Sequence, residues 1–101
     1  MAEKEIKPYT ALLGLIPKQK ENCISRKVLA ETLRISPRDV SRLVLMARLN
    51  EIIICSDSNG YYFPKDDAEA LAFYNAERKR AMTTLRSLKA VRSKLKGKGI
   101  K

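Results

Sequence analysis

Three side chains that could bind a polyanion, Arg38, Ser41 and Arg42, are spaced so that one face of an α-helix would carry all of them. An arginine guanidinium can bond to both the O6 and N7 atoms of guanine, and a serine hydroxyl can pair with bases or phosphates. This chemistry is recognition rather than bond cleavage, and we expect these residues to contact base edges of double-stranded DNA. The alternative is a solvated helix face without a partner.

A second set of residues is suited to phosphate contact because it combines cations with small polar groups. The helix that precedes the base-contacting residues begins with two cations, and a short polar turn follows farther along the chain. We expect phosphate contacts from Arg26, Lys27, Ser36, Ser58, Asn59, Lys96 and Lys98. The backbone amides near Gly60 could add to them, although Asp57 makes this turn acidic.

The composition gives little support for a catalytic or a metal-binding function. The chain has two cysteines and no histidine, which excludes a four-ligand Cys/His zinc set and Cys–His or Ser–His pairs within one chain. Asp57, Asp66, Asp67 and Glu69 fall in an expected turn and an expected helix cap, and no glycine-rich phosphate loop is present. We expect no enzyme activity, no cofactor and no metal. Cys23 and Cys55 are expected to be small buried residues.

The base-contacting residues lie in a stretch, residues 25–49, that predicts two helices joined by a three-residue turn. Ser25 is a good N-cap, and the apolar residues Val28, Leu29 and Leu33 follow at helical spacing beside Ala30. Arg34 and Ile35 break that pattern. The second helix, residues 37–49, begins with Ser36 as its cap and Pro37 at its first position. One buried stripe is expected from Val40, Leu43, Val44 and Ala47.

Shorter elements should flank this pair of helices. Residues 1–7 are expected to be frayed or loosely docked, and a helix is predicted from Tyr9 to Ile16, with Leu12, Leu13 and Ile16 on its apolar face. Cys23 and Ile24 could form a very short strand. The run Ile52–Cys55 predicts a strand, Asn59-Gly60 a tight turn with positive φ angles, and Tyr61–Phe63 the returning strand of a hairpin.

A long basic helix is predicted from about Ala68 to about Lys96, capped by Asp66 or Asp67. Apolar residues recur along it at alternating spacings of three and four, which is typical of a helix–helix seam, although Arg78 and Arg92 also fall on that seam. This helix could fold back onto the core, pair with a second copy or track DNA. We favour a homodimer whose interface contains Leu71, Tyr74, Ala81, Leu85, Leu88 and Leu95.

The formal net charge is +10, and the last 31 residues carry ten Lys and Arg against a single Glu. Such a charge favours a nucleic-acid partner. With 101 residues we expect one small core in residues 1–64, the long helix in residues 65–96 and a disordered basic tail in residues 97–101. No apolar run suits a membrane span or a signal peptide, so we expect no membrane association and a cytoplasmic location, in a bacterium or in a phage-infected host.

The motif S-R-K-V-L-A-E-T-L-R-I-S-P-R-D-V-S-R-L, together with I-C-S-D-S-N-G-Y-Y, resembles the winged helix-turn-helix family of biotin-repressor and DeoR-type DNA-binding domains. The arrangement is also similar to small phage or prophage winged-helix proteins of Gram-positive bacteria. The resemblance implies a mainly α fold with a small β-hairpin, in which a three-helix core and a wing precede a long C-terminal helix.

By matching positions, the resemblance implies that residues 37–49 form the recognition helix in the major groove, with Arg38, Ser41 and Arg42 as readers and Ser36 as the cap. The implied function is sequence-directed binding of duplex DNA in transcription control or phage DNA replication. The acidic wing tip and the small Ala47 depart from the family pattern. A protein-interaction adaptor built on the same scaffold and an RNA-binding protein are the alternatives.

Overall fold

The computed structural model describes the backbone of residues 3–99 and the side chains of residues 7–99. These residues are mainly helical, with one small antiparallel sheet and a long C-terminal helix. The four helices are α1 (Glu3–Leu15), α2 (Arg26–Leu33), α3 (Pro37–Leu49) and α4 (Asp67–Gly97), and the two strands are β1 (Cys55–Asp57) and β2 (Gly60–Tyr62). The chain divides into two compact units, which meet between Ala70 and Leu71 in sequence, and each is described by itself.

Helices α2 and α3 begin at the predicted caps. The hydroxyl of Ser25 accepts a hydrogen bond from the Val28 amide at 3.1 Å, and that of Ser36 accepts one from the Asp39 amide at 3.1 Å. Arg34 ends α2 in the left-handed conformation with a φ of 57°. Because the left-handed backbone of Arg34 turns the chain without a glycine, only three residues separate the two helices.

The core of the first unit lies where α1, α2 and α3 meet. The predicted stripe on α3 is buried as expected, and Leu12 and Ile16 of α1 and Leu29 and Ala30 of α2 pack with it. Ile54, which precedes β1, completes this cluster of buried side chains. Val28, one of the apolar residues at helical spacing on α2, is 45% exposed. It lies on the outer side of a helix whose inner side is filled by Leu29 and Ala30.

Helix α1 is longer than predicted. Residues 1–7 were expected to be a frayed or loosely docked start, but the helix already includes Glu3 and continues through Pro8 to Leu15. Glutamate and lysine favour helices, although Pro8 lies inside the helix, where a proline removes one backbone donor and crowds the carbonyl four residues earlier. Met1 and Ala2 lie outside the described residues.

The strands of the hairpin have different limits from the predicted ones. The run Ile52–Cys55 was expected to be a strand, but only Cys55 of that run pairs, and β1 continues to Asp57. The partners are Cys55 with Tyr62, Ser56 with Tyr61 and Asp57 with Gly60. The Ile52 amide donates instead to the Ala47 carbonyl at 2.9 Å, so this residue completes the end of α3.

The turn of the hairpin also differs from the prediction. Ser58 and Asn59 both keep negative φ angles, and the positive φ angle, 152°, belongs to Gly60. A β-carbon on Gly60 would overlap the carbonyl oxygen of Ile24 and lie 2.9 Å from the Ser25 nitrogen. Glycine is therefore required here because the hairpin passes directly against the chain before α2.

Two further segments pair with the hairpin. Ile24 exchanges backbone hydrogen bonds of 2.9 and 2.8 Å with Tyr61, so the short strand predicted at Cys23-Ile24 is one antiparallel bridge. Phe63, predicted as part of the returning strand, instead forms a separate bridge with Lys18. These bridges attach the hairpin to the segments that enter and leave the residues 20–22 turn.

Helix α4 matches its predicted limits to within one residue at each end. Asp66 is its N-cap, because a side-chain oxygen of Asp66 accepts from the Glu69 amide at 2.9 Å. Gly97 was expected to break the helix but is its last residue, and Gly99, with a φ of 77°, follows in a turn. Ile100 and Lys101 of the predicted tail lie outside the described residues. No described helix combines the length and the apolar character of a membrane span.

Candidate nucleic-acid interface

The outer face of α3 carries the three residues expected to contact bases. Val40 and the rest of the buried stripe point into the core, which leaves Arg38 and Arg42 exposed and Ser41 half-buried on the other side of the helix. Packing of the apolar stripe therefore determines which way these polar side chains point. The resulting surface presents two guanidinium groups one helical turn apart.

Arg42 is paired within its own helix. Its Nε atom lies 3.8 Å from the Oδ1 atom of Asp39, one turn earlier. Both side chains are almost half exposed, so solvent weakens this ion pair, and exposed pairs of this kind contribute less than about 1 kcal/mol. A ligand with stronger acceptors could therefore compete with Asp39 for the guanidinium group of Arg42.

The start of α2 is connected to the outer face of α3. The Nη1 atom of Arg26 donates to the hydroxyl oxygen of Ser41 at 3.2 Å. Arg26 was expected to contact phosphate and Ser41 to contact bases, and the structure brings these two residues together. The Ser41 hydroxyl still has its own proton to donate, while Arg26 places a positive charge beside the outer face of α3.

A polar cleft of about 280 Å³ lies between the start of α2 and the hairpin. Arg26 lines it from the helix, and Ser56, Ser58 and Asn59 line it from the hairpin. The cleft therefore brings together three of the predicted phosphate contacts, Arg26, Ser58 and Asn59, from parts of the chain about thirty residues apart. Asp57 also lines the cleft. The cation and the neutral hydrogen-bonding groups suit a phosphate group, whereas the carboxylate opposes it.

Asp57 has a structural role at the tip of the hairpin. Its Oδ1 atom accepts from the Asn59 amide at 2.8 Å and from the Gly60 amide at 3.1 Å. The expectation that amides near Gly60 could bond phosphates is therefore wrong for these two donors, which Asp57 already uses. The acidic tip is explained by the turn that it builds.

Arg48 holds the hairpin against the end of α3, a role that sequence reasoning missed. Its Nε atom donates to the Ile54 carbonyl at 2.9 Å, and its Nη2 atom donates to the Ser56 hydroxyl at 3.2 Å. Ser56 also lines the polar cleft, so Arg48 positions one wall of that cleft. No sequence pattern indicates such a contact, since both partners lie in or beside a strand whose register only the folded structure defines.

The other predicted phosphate contacts are exposed but separate. Lys27 lies in the first turn of α2, and Ser36 combines its exposed position with its role as the cap of α3. Lys96 and Lys98 belong to the second unit, Lys96 in the last turn of α4 and Lys98 in the turn that follows it, and both are exposed.

The residues expected at a dimer interface lie on α4. All of its large apolar members are exposed in the single chain, by 38% for Leu95 and by 58% for Leu71, Tyr74 and Leu88. Leu85 and the small Ala81 are exposed as well. Helix α4 has no fully buried residue.

The two cysteines are free thiols. Cys55 is buried as expected, whereas Cys23 is only half-buried. Burial raises the pKa of the Cys55 thiol, and the carboxylate of Glu69 raises it further against the opposing effect of Arg48. The neutral thiol is a poor nucleophile, which fits a packing role for Cys55. Among the described residues, no cluster of His, Cys, Asp and Glu could hold a metal ion.

Comparison of the chain with protein-family models, with curated proteins and with solved structures finds no match.

Proposed function

We propose that the first unit is a winged helix-turn-helix domain that binds double-stranded DNA, with α3 as the recognition helix in the major groove. In this arrangement α2 crosses the DNA backbone and the β1–β2 hairpin is the wing. Arg38, Ser41 and Arg42 read base edges. From the resemblance of its motif, the protein acts in transcription control or in phage DNA replication, in the cytoplasm.

One observation carries this proposal. Arg26 donates to Ser41 on the outer face of α3 and also lines the cleft that contains Ser58 and Asn59 of the hairpin. The start of α2, the outer face of α3 and the hairpin therefore form one polar surface. Phosphate contacts set the position of a recognition helix along the groove, and Arg26, Ser58 and Asn59 of this surface are suited to make them.

The charge of the chain supports the same partner. A net charge of +10 attracts the phosphate backbone and contributes binding energy that is independent of sequence. Residues 78–98 contain nine Lys and Arg and no Asp or Glu. Lys96 and Lys98 belong to this segment and neutralise phosphates, while the apolar residues of α4 pair two copies of the chain.

The test is selection of a binding site from a random pool of duplex DNA, with binding measured at two salt concentrations. An enriched sequence that is still bound at the higher salt is expected, and a palindromic one supports the dimer. Arg42→Ala should weaken binding to that sequence by about 1–3 kcal/mol and relax the preference at one position. Arg86→Ala is the matched control, because it removes the same exposed charge from α4 and should weaken binding to all sequences alike.

The proposal is wrong if the selection enriches no sequence, or if Arg42→Ala and Arg86→Ala act identically. Replacing Lys96 and Lys98 should reduce the slope of affinity against salt without changing sequence preference. A parallel measurement with duplex RNA separates the RNA-binding alternative.

A protein-interaction adaptor is the second candidate, and the exposed apolar residues of α4 favour it. Together these residues expose more apolar surface than an isolated solvated helix usually does. They are Leu71, Tyr74, Leu85, Leu88 and Leu95. Weak DNA binding without a preferred sequence, lost entirely as salt rises, would favour this candidate.

A further inference from the structure

The outer face of α3 changes character along its length. Arg38, Arg42, Leu45 and Leu49 are four, three and four residues apart, so they form one line along the helix. The first two are basic, whereas Leu45 is 55% exposed and Leu49 is 76% exposed. The line therefore runs from charged to apolar, opposite the buried stripe.

A single exposed leucine requires no explanation. Leu45 differs from such a residue in its position, because it follows Arg42 by one helical turn on the face that the proposed function directs at DNA. It lies outside the buried core. Its side chain is available to a ligand that also accepts the charge of Arg38 and Arg42.

Duplex DNA offers one apolar group on the base edges of the major groove, the C5-methyl group of thymine. Three residues of α-helix rise about 4.5 Å, and neighbouring bases on one strand are about 3.4 Å apart. A side chain three residues after Arg42 therefore reaches the base pair next to the one that Arg42 contacts.

We propose that Leu45 is a specificity-determining residue that contacts a thymine methyl group beside the guanine bound by Arg42. This inference rests on the proposed function and extends it, since it states which neighbouring base the recognition helix selects. The charge of the two arginines favours DNA over a protein as the partner of this face, and the leucine adds a preference that charge cannot provide.

The experiment starts from the enriched binding site and replaces each thymine in turn by uracil, which removes only the methyl group. For the wild-type protein, uracil at one position beside the guanine should weaken binding about fourfold, the effect of losing one buried methyl-sized group. The Leu45→Ala variant should bind the thymine and uracil sites with equal affinity, because it lacks the side chain that contacts the methyl group. Leu45→Met, which keeps an apolar side chain, should retain it.

Leu49→Ala is the matched control, because it shortens an exposed leucine on the same line one turn farther from Arg42, and it should retain the uracil penalty. Circular dichroism verifies that each variant is folded. The inference is overturned if no thymine position responds to uracil, or if Leu45→Ala keeps the full penalty. An enriched site that depends on Arg42 but is insensitive to uracil overturns only this inference, whereas the absence of any enriched site overturns the proposed function as well.

Discussion

Gly60→Ala is expected to destabilise the first unit strongly. The β-carbon of alanine would overlap the carbonyl oxygen of Ile24 and would come within 2.9 Å of the Ser25 nitrogen. These are backbone atoms, so no side-chain rotation relieves the contact. The φ angle of 152° at this position also lies in a region that residues with a β-carbon rarely adopt.

The size of the effect follows from two contributions. A residue held in a sparsely populated backbone conformation costs about 1–3 kcal/mol. Moving the hairpin away from Ile24 breaks its two hydrogen bonds with Tyr61, of 2.9 and 2.8 Å, each of which stabilises the fold by about 1 kcal/mol. We therefore expect the free energy of unfolding to fall by about 3–5 kcal/mol, a large share of the 5–15 kcal/mol that is usual for a domain.

The assay is urea unfolding followed by near-ultraviolet circular dichroism of tyrosine. Three of the four tyrosines, Tyr9, Tyr61 and Tyr62, belong to the first unit, whereas Tyr74 is exposed on α4 and contributes little near-ultraviolet signal. Gly14→Ala is the matched control, because nothing lies within 4 Å of the added β-carbon in α1. That variant should be more stable by about 0.5–1 kcal/mol. Unchanged stability of Gly60→Ala would refute the docking of the hairpin against Ile24.

Three further predictions concern pH, helix capping and self-association. Burial, with added repulsion first from Cys55 and then from Glu69, raises the pKa of Tyr62 to about 12, so the folded state holds this proton more tightly than the unfolded state does. The contribution of Tyr62 to the free energy of unfolding should therefore be fully present below pH 10 and should be lost between about pH 10 and pH 12. Tyr62→Phe should reduce that loss in urea titrations at several pH values. Ser36→Ala removes the acceptor of the Asp39 amide and should cost about 1 kcal/mol in the same titrations, whereas Ser36→Asp should not; equal losses would contradict the cap. A parallel pair of α4 helices would bring the like charges of residues 78–98 together, and salt screens their repulsion. Sedimentation equilibrium should therefore show stronger association as salt rises from about 50 to about 500 mM. Weaker association at high salt would refute the parallel pairing.

Local signals account for the parts of the fold that were predicted correctly. Ser25 and Ser36 cap their helices through amides only three residues away, and the stripe from Val40 to Ala47 repeats with the period of the helix. Each of these signals depends on neighbours within one or two turns. The limits of α2, α3 and α4 and the burial of α3 were therefore available from the sequence.

The strand predicted at residues 52–55 is mostly absent because other contacts compete with strand pairing for its backbone groups. The run Ile52–Cys55 has a strong β propensity, yet the Ile52 amide bonds to the end of α3 and the Ile54 carbonyl accepts from Arg48. Ile54 is also completely buried in the helical core. The Ile52 amide is already used by α3, and the backbone groups of Phe63, which would face Ile54, bond to the segment before the residues 20–22 turn, so pairing starts only at Cys55.

The candidate interface likewise combines features that the sequence predicts with features that only the tertiary structure defines. By itself, the sequence determined which residues lie on the outer face of α3, because the helical period and the buried stripe leave no other orientation for Arg38, Ser41 and Arg42. Only the tertiary structure decided that Arg26 bonds to Ser41, fifteen residues away, and that the hairpin closes a cleft over the start of α2. The physical reason is that these contacts depend on how helices and strands pack across the core, and a pattern of neighbouring residues carries no information on distances between elements.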